Sequence, residues 1–387
     1  MKGPIFRLGD VARIDSGIPM PEQDIVWLLN LDTIEQQTGR LLDRLMVPRE
    51  QIGSSTIGFD ADCVLYSKLR PNLNKVLLPD RPGVATSEIL PLRVIAKTMS
   101  KEYLCWFLRS PAFVTYAQSR TAGAKMPRLG SKALLEARIP VPLPSRQREI
   151  VAQLEGLQKI FQLSNSELSR LRQLAKSRFV EMFGNPVANS HDLPLKKMGD
   201  ILTGIDSGKS FVCENTPRTG NHPAVLKLSA VSIDGYKPDE NKSLPSADMF
   251  VEKAEVKPGD LLFTRKNTPE LVGTCVYVKN TPPFLMMPDL VFRLNPTEEV
   301  SRQYLCALIN HSLFRPKIQD LASGSAKSMS NISKERLSKL DVPVPPMELQ
   351  NEYAAFIDQL DKSEFAIRKR LEKARLLYRA KLQEFFG

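Results

Sequence analysis

Histidine and cysteine are scarce in this chain. Its three histidines, His191, His222 and His311, stand far apart, and its five cysteines (Cys63, Cys105, Cys213, Cys275 and Cys306) include no Cys-x-x-Cys pair. No His-based or Cys-based metal site has its ligands at a usable spacing, and an odd scatter of thiols is no disulfide framework. The expectation is a reduced, cytoplasmic protein with no metal. Long apolar runs are also missing. Nothing approaches the ~18–20 residues of a membrane span, and residues 1–10 have no apolar signal core, so neither a span nor export is expected.

Catalytic signatures are thin as well. Gly204-Ile205-Asp206-Ser207-Gly208-Lys209-Ser210 looks like a phosphate loop, but only three residues separate Gly204 from Gly208-Lys209-Ser210 where the Walker pattern has four. A tight turn is the expectation. Thr281-Pro282-Pro283-Phe284 is close to the Asn/Asp-Pro-Pro-aromatic signature of amino-methyltransferases, yet it begins with a threonine and no glycine-rich cofactor loop accompanies it. Carboxylate pairs such as Asp60/Asp62 read as solvated turn residues in a basic chain. No catalytic residue and no cofactor is assigned.

What the chain does have is a repeat and a positive charge. Residues 140–184 align with residues 343–387 without a gap at an offset of 203, and 14 of the 45 positions are identical. Unrelated segments match at roughly one position in twenty, so this is a duplication. Each copy opens on Pro-Val-Pro, carries a glutamine (Gln147, Gln350) and ends in Phe-Gly. Between those points apolar residues recur in steps of four and three: Ile150, Leu154, Leu157, Phe161, (Ser164), Leu168, Leu171, Ala175, (Arg178) and Met182 in the first copy. In the second they are Tyr353, Ile357, Leu360, (Glu364), Ile367, Leu371, Ala374, Tyr378, (Lys381) and Phe385. That is a coiled-coil seam. Ser145, after Pro144, is the expected N-cap. Forty residues at 1.5 Å each give a helix of about 60 Å, and its stripe needs a partner helix.

The segments before the helices are mixed α/β, with short β-prone runs punctuated by glycine and proline. They echo each other in order. Leu8-Gly9-Asp10-Val11-Ala12 returns as Met198-Gly199-Asp200-Ile201-Leu202, and a helix at 102–109 has its counterpart at 303–309. Residues 24–50 and 212–249, by contrast, align poorly. The scaffold is duplicated and the faces are not, which suggests two related readers of two different targets.

At 387 residues with a formal net charge of +11, the chain has a polyanion as its natural partner. Lys68, Arg70, Asn72, Asn74 and Lys75 crowd into the nine residues 67–75, with Arg265, Lys266 and Asn267 as their counterparts. Small-residue loops precede each long helix, one with Lys125 and Arg128, the other with Lys327 and Asn331. Lys209 completes the set. Lysine and arginine neutralise phosphates, and arginine on guanine or asparagine on adenine reads bases.

In this order the features resemble the specificity (S) subunits of Type I restriction–modification systems. The resemblance covers essentially the whole chain. It rests on the duplicated Pro-Val-Pro helix starts with Gln147 and Gln350, the Gly9-Asp10 and Gly199-Asp200 pairs, and Ser67-Lys68-Leu69-Arg70-Pro71. Family members usually carry Glu-Gln at the helix start; here Arg146-Gln147 and Leu349-Gln350 replace it. The resemblance implies an α+β fold with target recognition domains at 1–142 and 185–345, and spacer helices at 143–184 and 346–387. The helices pack as an antiparallel coiled coil. Each domain would read one half of a split site in double-stranded DNA, and the helices would set the gap. Methyltransferase subunits, two of them, and restriction subunits would assemble on this non-catalytic chain. With the seam occupied, a second stripe of Leu174, Phe183, Leu377 and Phe386 is the expected methyltransferase dock. The competing expectations are a stand-alone DNA-modifying enzyme and a coiled-coil protein scaffold.

Overall fold

The structure, a computed structural model, describes residues 3–323 and 329–387. It divides into two compact units, Met1–Asn165 with Arg368–Gly387, and Ser166–Ile367. The division cuts both long helices, so each unit holds a piece of each.

The first unit is built on an antiparallel sheet in the order Ala12–Ile14, Ile89–Val94, Cys63–Ser67, Val76–Leu77. Alternation along Cys63–Ser67 sends side chains to two cores. Val64 and Tyr66 face helices Lys101–Arg109 and Pro111–Ser119, and Cys63 and Leu65 face a second sheet around Trp27 and Phe59. That second sheet runs Leu45–Pro48, Ile25–Leu29, Gly83–Thr86, Thr56–Phe59, with one parallel pairing, Leu28 opposite Val84.

The second unit repeats the plan. Its main sheet is Leu202–Ser207, Val291–Pro296, Leu261–Thr264, Cys275–Tyr277. Leu261 and Phe263 face the helical core, and Leu262 faces a smaller sheet of Asn241–Ser243, Ala224–Leu226 and Leu285–Met286. The smaller sheet again has one parallel pairing, Ala224 opposite Leu285.

The two long helices are Pro144–Phe183 and Met347–Phe386. The first begins on Pro144 itself, not after a Ser145 cap. Proline suits the first helical turn because its missing N–H has no intrahelical partner there. Gly184, at φ +72°, ends that helix, its N–H donating to the Val180 carbonyl at 2.8 Å. Within the first unit the helices run antiparallel: Arg146 pairs with Glu384 at 3.6 Å, and one helical stretch later Phe161 meets Tyr378 at 5.6 Å between ring centroids.

Each helix is fastened to its own unit by the repeated glutamine. Gln147 accepts from the Ser100 N–H at 3.0 Å and donates to the Thr98 and Pro142 carbonyls at 2.7 and 2.8 Å. Gln350 accepts from the Ser301 N–H at 2.8 Å and donates to the Glu299 and Pro345 carbonyls at 2.9 and 2.8 Å. Both side chains are buried, so each satisfies main-chain groups that water does not reach. Tyr103 and Tyr304 add matching hydroxyl bonds to the Pro140 and Pro343 carbonyls, both at 2.7 Å.

The seam is wider than the four-three spacing predicts. Phe179 and Leu382, off that spacing, are buried at the ends of the helices. There the helix meets a domain core as well as its partner, and a broader apolar face is covered.

Candidate nucleic-acid interface

The main sheet of each unit ends in a basic loop, and in each unit that loop is paired with the loop that precedes the long helix. In the first unit the Leu129 N–H donates to the Lys68 carbonyl at 2.9 Å, the Arg70 N–H to the Pro127 carbonyl at 2.8 Å, and Leu69 bridges Arg128. In the second unit the Ile332 N–H donates to the Arg265 carbonyl at 2.8 Å, and Lys266–Asn267 pairs with Ser330–Asn331, Lys266 opposite Asn331. The two frames superpose in logic: Lys68 corresponds to Arg265, and Arg128 to Asn331.

The side chains on those frames differ. Arg128 takes the Glu88 carboxylate through Nε and Nη2, at 3.1 and 3.0 Å. Its counterpart Asn331 instead accepts from Arg265, at 3.3 Å from Nη2, while the Arg265 guanidinium lies 5.0 Å over the Phe292 ring. Stacking on a ring holds a planar guanidinium in place. Lys68 and Lys266 are half-buried, and Asn267 is buried with its Oδ1 accepting from the Thr268 N–H at 2.9 Å.

Arg70, Asn72 and Lys125 are exposed in the first unit, and Lys209 in the second. Arg70 sits at φ +49°, a left-handed conformation that an arginine adopts only under constraint. Asn74, at φ +51°, is buried and donates to the Arg109 carbonyl at 2.9 Å, and Lys75 donates to the Leu31 carbonyl. These last two shape the loop from within. Lys327 lies outside the described residues. Three residues that sequence reasoning did not single out complete the first frame. Gln37 donates to the Asn72 carbonyl at 2.9 Å, Arg109 holds the Val76 carbonyl at 2.6 Å, and Glu88 partners Arg128. They come from distant parts of the chain, and no local pattern marks them.

A family model, the Type I restriction modification DNA specificity domain, matches residues 199–375. The EcoEI specificity subunit of Escherichia coli, a Type I restriction enzyme subunit, is 29% identical over 180 residues. That match covers 46% of this chain and 30% of the relative. The EcoKI specificity subunit of Escherichia coli K12 is 22% identical over 293 residues, 72% of this chain and 62% of the relative. The chain is similar to Type I specificity subunits, and its residues 199–375 match their DNA specificity domain. The matched stretches span less than two thirds of either relative's length.

Solved structures place the specificity-subunit fold over the whole chain. A chain from a study of complex assembly and conformational transition in the type I R-M system matches with a TM-score of 0.58 at 19% identity, covering 99% of this chain and 97% of that one. The Type I restriction–modification S subunit from M. genitalium matches with a TM-score of 0.63 at 13% identity, covering 99% and 96%.

The phosphate-loop and methyltransferase look-alikes resolve as packing. Leu202–Ser207 is a strand with no helix after it, and Lys209 donates its N–H to the Met287 carbonyl at 3.0 Å. A Cβ on Gly208 would stand 2.3 Å from two carbonyl oxygens, so this glycine serves close approach of two chain segments. Thr281 bonds the Tyr236 hydroxyl at 2.8 Å in a proline turn. Asp60 is not a freely solvated turn residue: it accepts from the Arg93 guanidinium, which also pairs with Asp15. Among the described residues no group of three His, Cys, Asp or Glu could hold a metal ion, and no helix is long and apolar enough to cross a membrane.

The expected docking stripe needs correction. Phe183 packs on Tyr304 and Tyr353 at 4.9 and 5.4 Å between centroids, and Phe386 on Tyr103 and Phe107 at 5.5 and 6.1 Å. Both are buried, because the last turn of each helix enters a domain core. Leu174 and Leu377 stay 48% and 49% exposed, and of the four only they are open to a partner.

Proposed function

We propose that this chain is the DNA-recognition subunit of a Type I restriction–modification complex. Residues 1–142 and 185–345 each read one half of a bipartite duplex site. The helices at 143–184 and 346–387, about 60 Å long at 1.5 Å per residue, set the gap. Two methyltransferase subunits and the restriction subunits assemble on it in the cytoplasm. Catalysis and its cofactors belong to those partners.

The observation that carries this reading is the pair of loop frames. The same main-chain pairing recurs in both units, and the side chains it presents are basic or amide-bearing and different in each. A constant frame with variable donors is what two readers of unlike half-sites require. Lys68, Arg70, Asn72, Lys125, Arg128, Lys209, Arg265, Lys266 and Asn331 are the proposed contacts. Asn74, Lys75 and Asn267 act through the loop's shape.

Exchanging residues 1–142 for the corresponding domain of another family member tests it, with methylated bases mapped across a genome. One half of the recognised site changes and the gap stays. A change in both halves, or no methylation pattern at all, would sink the reading. Duplex affinity that ignored salt would favour a protein scaffold instead.

A further inference from the structure

One cavity of the first unit, about 500 Å³ in volume, is unlike the basic loops. Arg7, Arg120 and Arg138 stand around it with a single carboxylate, Glu136, and Phe113 and Tyr116 line it. Among the described residues none of the three arginines has a carboxylate within salt-bridge distance. Arg120 lies over the Tyr116 ring at 5.5 Å.

Two of these arginines face each other. Ile5–Arg7 pairs with Arg138–Pro140 in the ribbon that leads into the first long helix, and Arg7 is directly opposite Arg138. Like charges in that position destabilise a ribbon. The second unit shows the ordinary solution at the same place. Its ribbon pairs Leu195–Lys197 with Asp341–Pro343, and Lys197 opposite Asp341 forms an ion pair at 2.7 Å. The duplicated scaffold has a satisfied pair in one copy and an unsatisfied cationic pair, beside a cavity, in the other.

We propose that this cavity seats an acidic side chain of the methyltransferase subunit. The inference rests on the assembly reading above. Two arginines held opposite each other on a ribbon can converge on one carboxylate, and a third stands at the rim. The shape favours protein over DNA. Duplex backbones are met by side chains standing out from loops, as Arg70 and Lys125 do. This site is concave with an aromatic wall, which suits a carboxylate on an apolar stem.

The test is calorimetric titration of the full chain with the purified methyltransferase subunit, at low and high salt. Arg138→Asp copies the second unit's arrangement, so the variant keeps or raises its thermal midpoint. It binds the subunit about tenfold more weakly than wild type, with a flatter salt dependence. Arg120→Gln gives a smaller loss, and Asp341→Ala, in the other ribbon, leaves affinity unchanged. Duplex affinity is the same for all. Subunit affinity unaltered in both arginine variants would overturn the proposal. So would unchanged subunit binding with a DNA salt slope reduced by about one, since that marks Arg138 as a phosphate contact. If the wild-type chain binds no subunit, the assembly reading fails first and takes this inference with it.

Discussion

At the start of the first long helix Gln147 ties Ser100, Thr98 and Pro142 together; at the start of the second Gln350 does the same for Ser301, Glu299 and Pro345. At the basic loops the copies diverge. Arg128 meets Glu88 in one unit, while its counterpart Asn331 meets Arg265 in the other. The ribbons diverge too, Arg7 with Arg138 against Lys197 with Asp341. Selection on folding holds the helix start constant, because a buried glutamine has one set of partners. At the loops only the main-chain pairing is shared, which is the pattern the proposed reading of two unlike half-sites calls for.

The largest expected effect breaks the shared part. Gln147→Leu leaves the Ser100 N–H and the Thr98 and Pro142 carbonyls without the partner they have now. Orphaned buried groups cost about 1–3 kcal/mol each, partly recovered by water, so about 3 kcal/mol is the expected loss. Gln350→Leu costs about the same, within ~1 kcal/mol, because the bond set is the same. Urea unfolding of the two variants measures both. A large difference between them would show that the two helix starts are alike in geometry and unlike in energy.

A middle-sized effect sharpens the divergent part. Arg128→Ala and Arg265→Ala each remove a side chain from equivalent frames. Each costs about 1–3 kcal/mol in binding the cognate duplex and relaxes sequence preference in its own half-site alone. Competition binding with half-site variants reads this out. If either substitution weakened cognate and unrelated DNA equally, that arginine would be a phosphate contact and the base reader would lie elsewhere on the frame.

The unequal legibility of these regions has a physical cause. The long helices show in the sequence because burial of one face repeats every three or four residues, and the offset of 203 shows because a shared scaffold keeps residue identities. Gln147 and Gln350 stand out through the repeat, yet their distant partners lie 47 to 51 residues upstream in the Ser100 and Ser301 regions, and periodicity does not report such distances. The loop frames depend on a few non-local main-chain bonds, such as Leu129 to Lys68, that leave no local trace. Asn74 looks like an exposed amide in a basic stretch. Its left-handed backbone turns it inward instead, a habit of asparagine that the run Pro71-Asn72-Leu73-Asn74 hints at only weakly. Phe183 and Phe386 look like part of a free stripe because the sequence does not show where a helix stops being a rod and joins a core.

The smallest expected effect is a difference in acid sensitivity. All three histidines lie in the second unit, and His311 is buried there, its ring stacked on Phe179 at 4.9 Å between centroids. Burial disfavours the charged imidazolium and holds the His311 pKa below its ordinary value, with the neighbouring Lys176 charge adding to that and its carbonyl opposing. The neutral ring is therefore the form the fold selects. Its contribution is fully present above the unfolded pKa, about 6.5, and is lost as pH falls through that value toward the lower folded one, because the unfolded chain then binds the extra proton. Below about pH 6.5 the second unit loses stability through a route the first, which has no histidine, does not possess. Hydrogen exchange at pH 7.5 and 5.5, corrected for intrinsic rates, separates the two: amides in Leu261–Thr264 lose protection relative to those in Cys63–Ser67. His311→Phe, which keeps a ring against Phe179, removes most of that pH-dependent difference. A difference that survives the substitution would assign the acid sensitivity to carboxylates of the second unit, such as Asp260 paired with Arg293 at 2.9 Å.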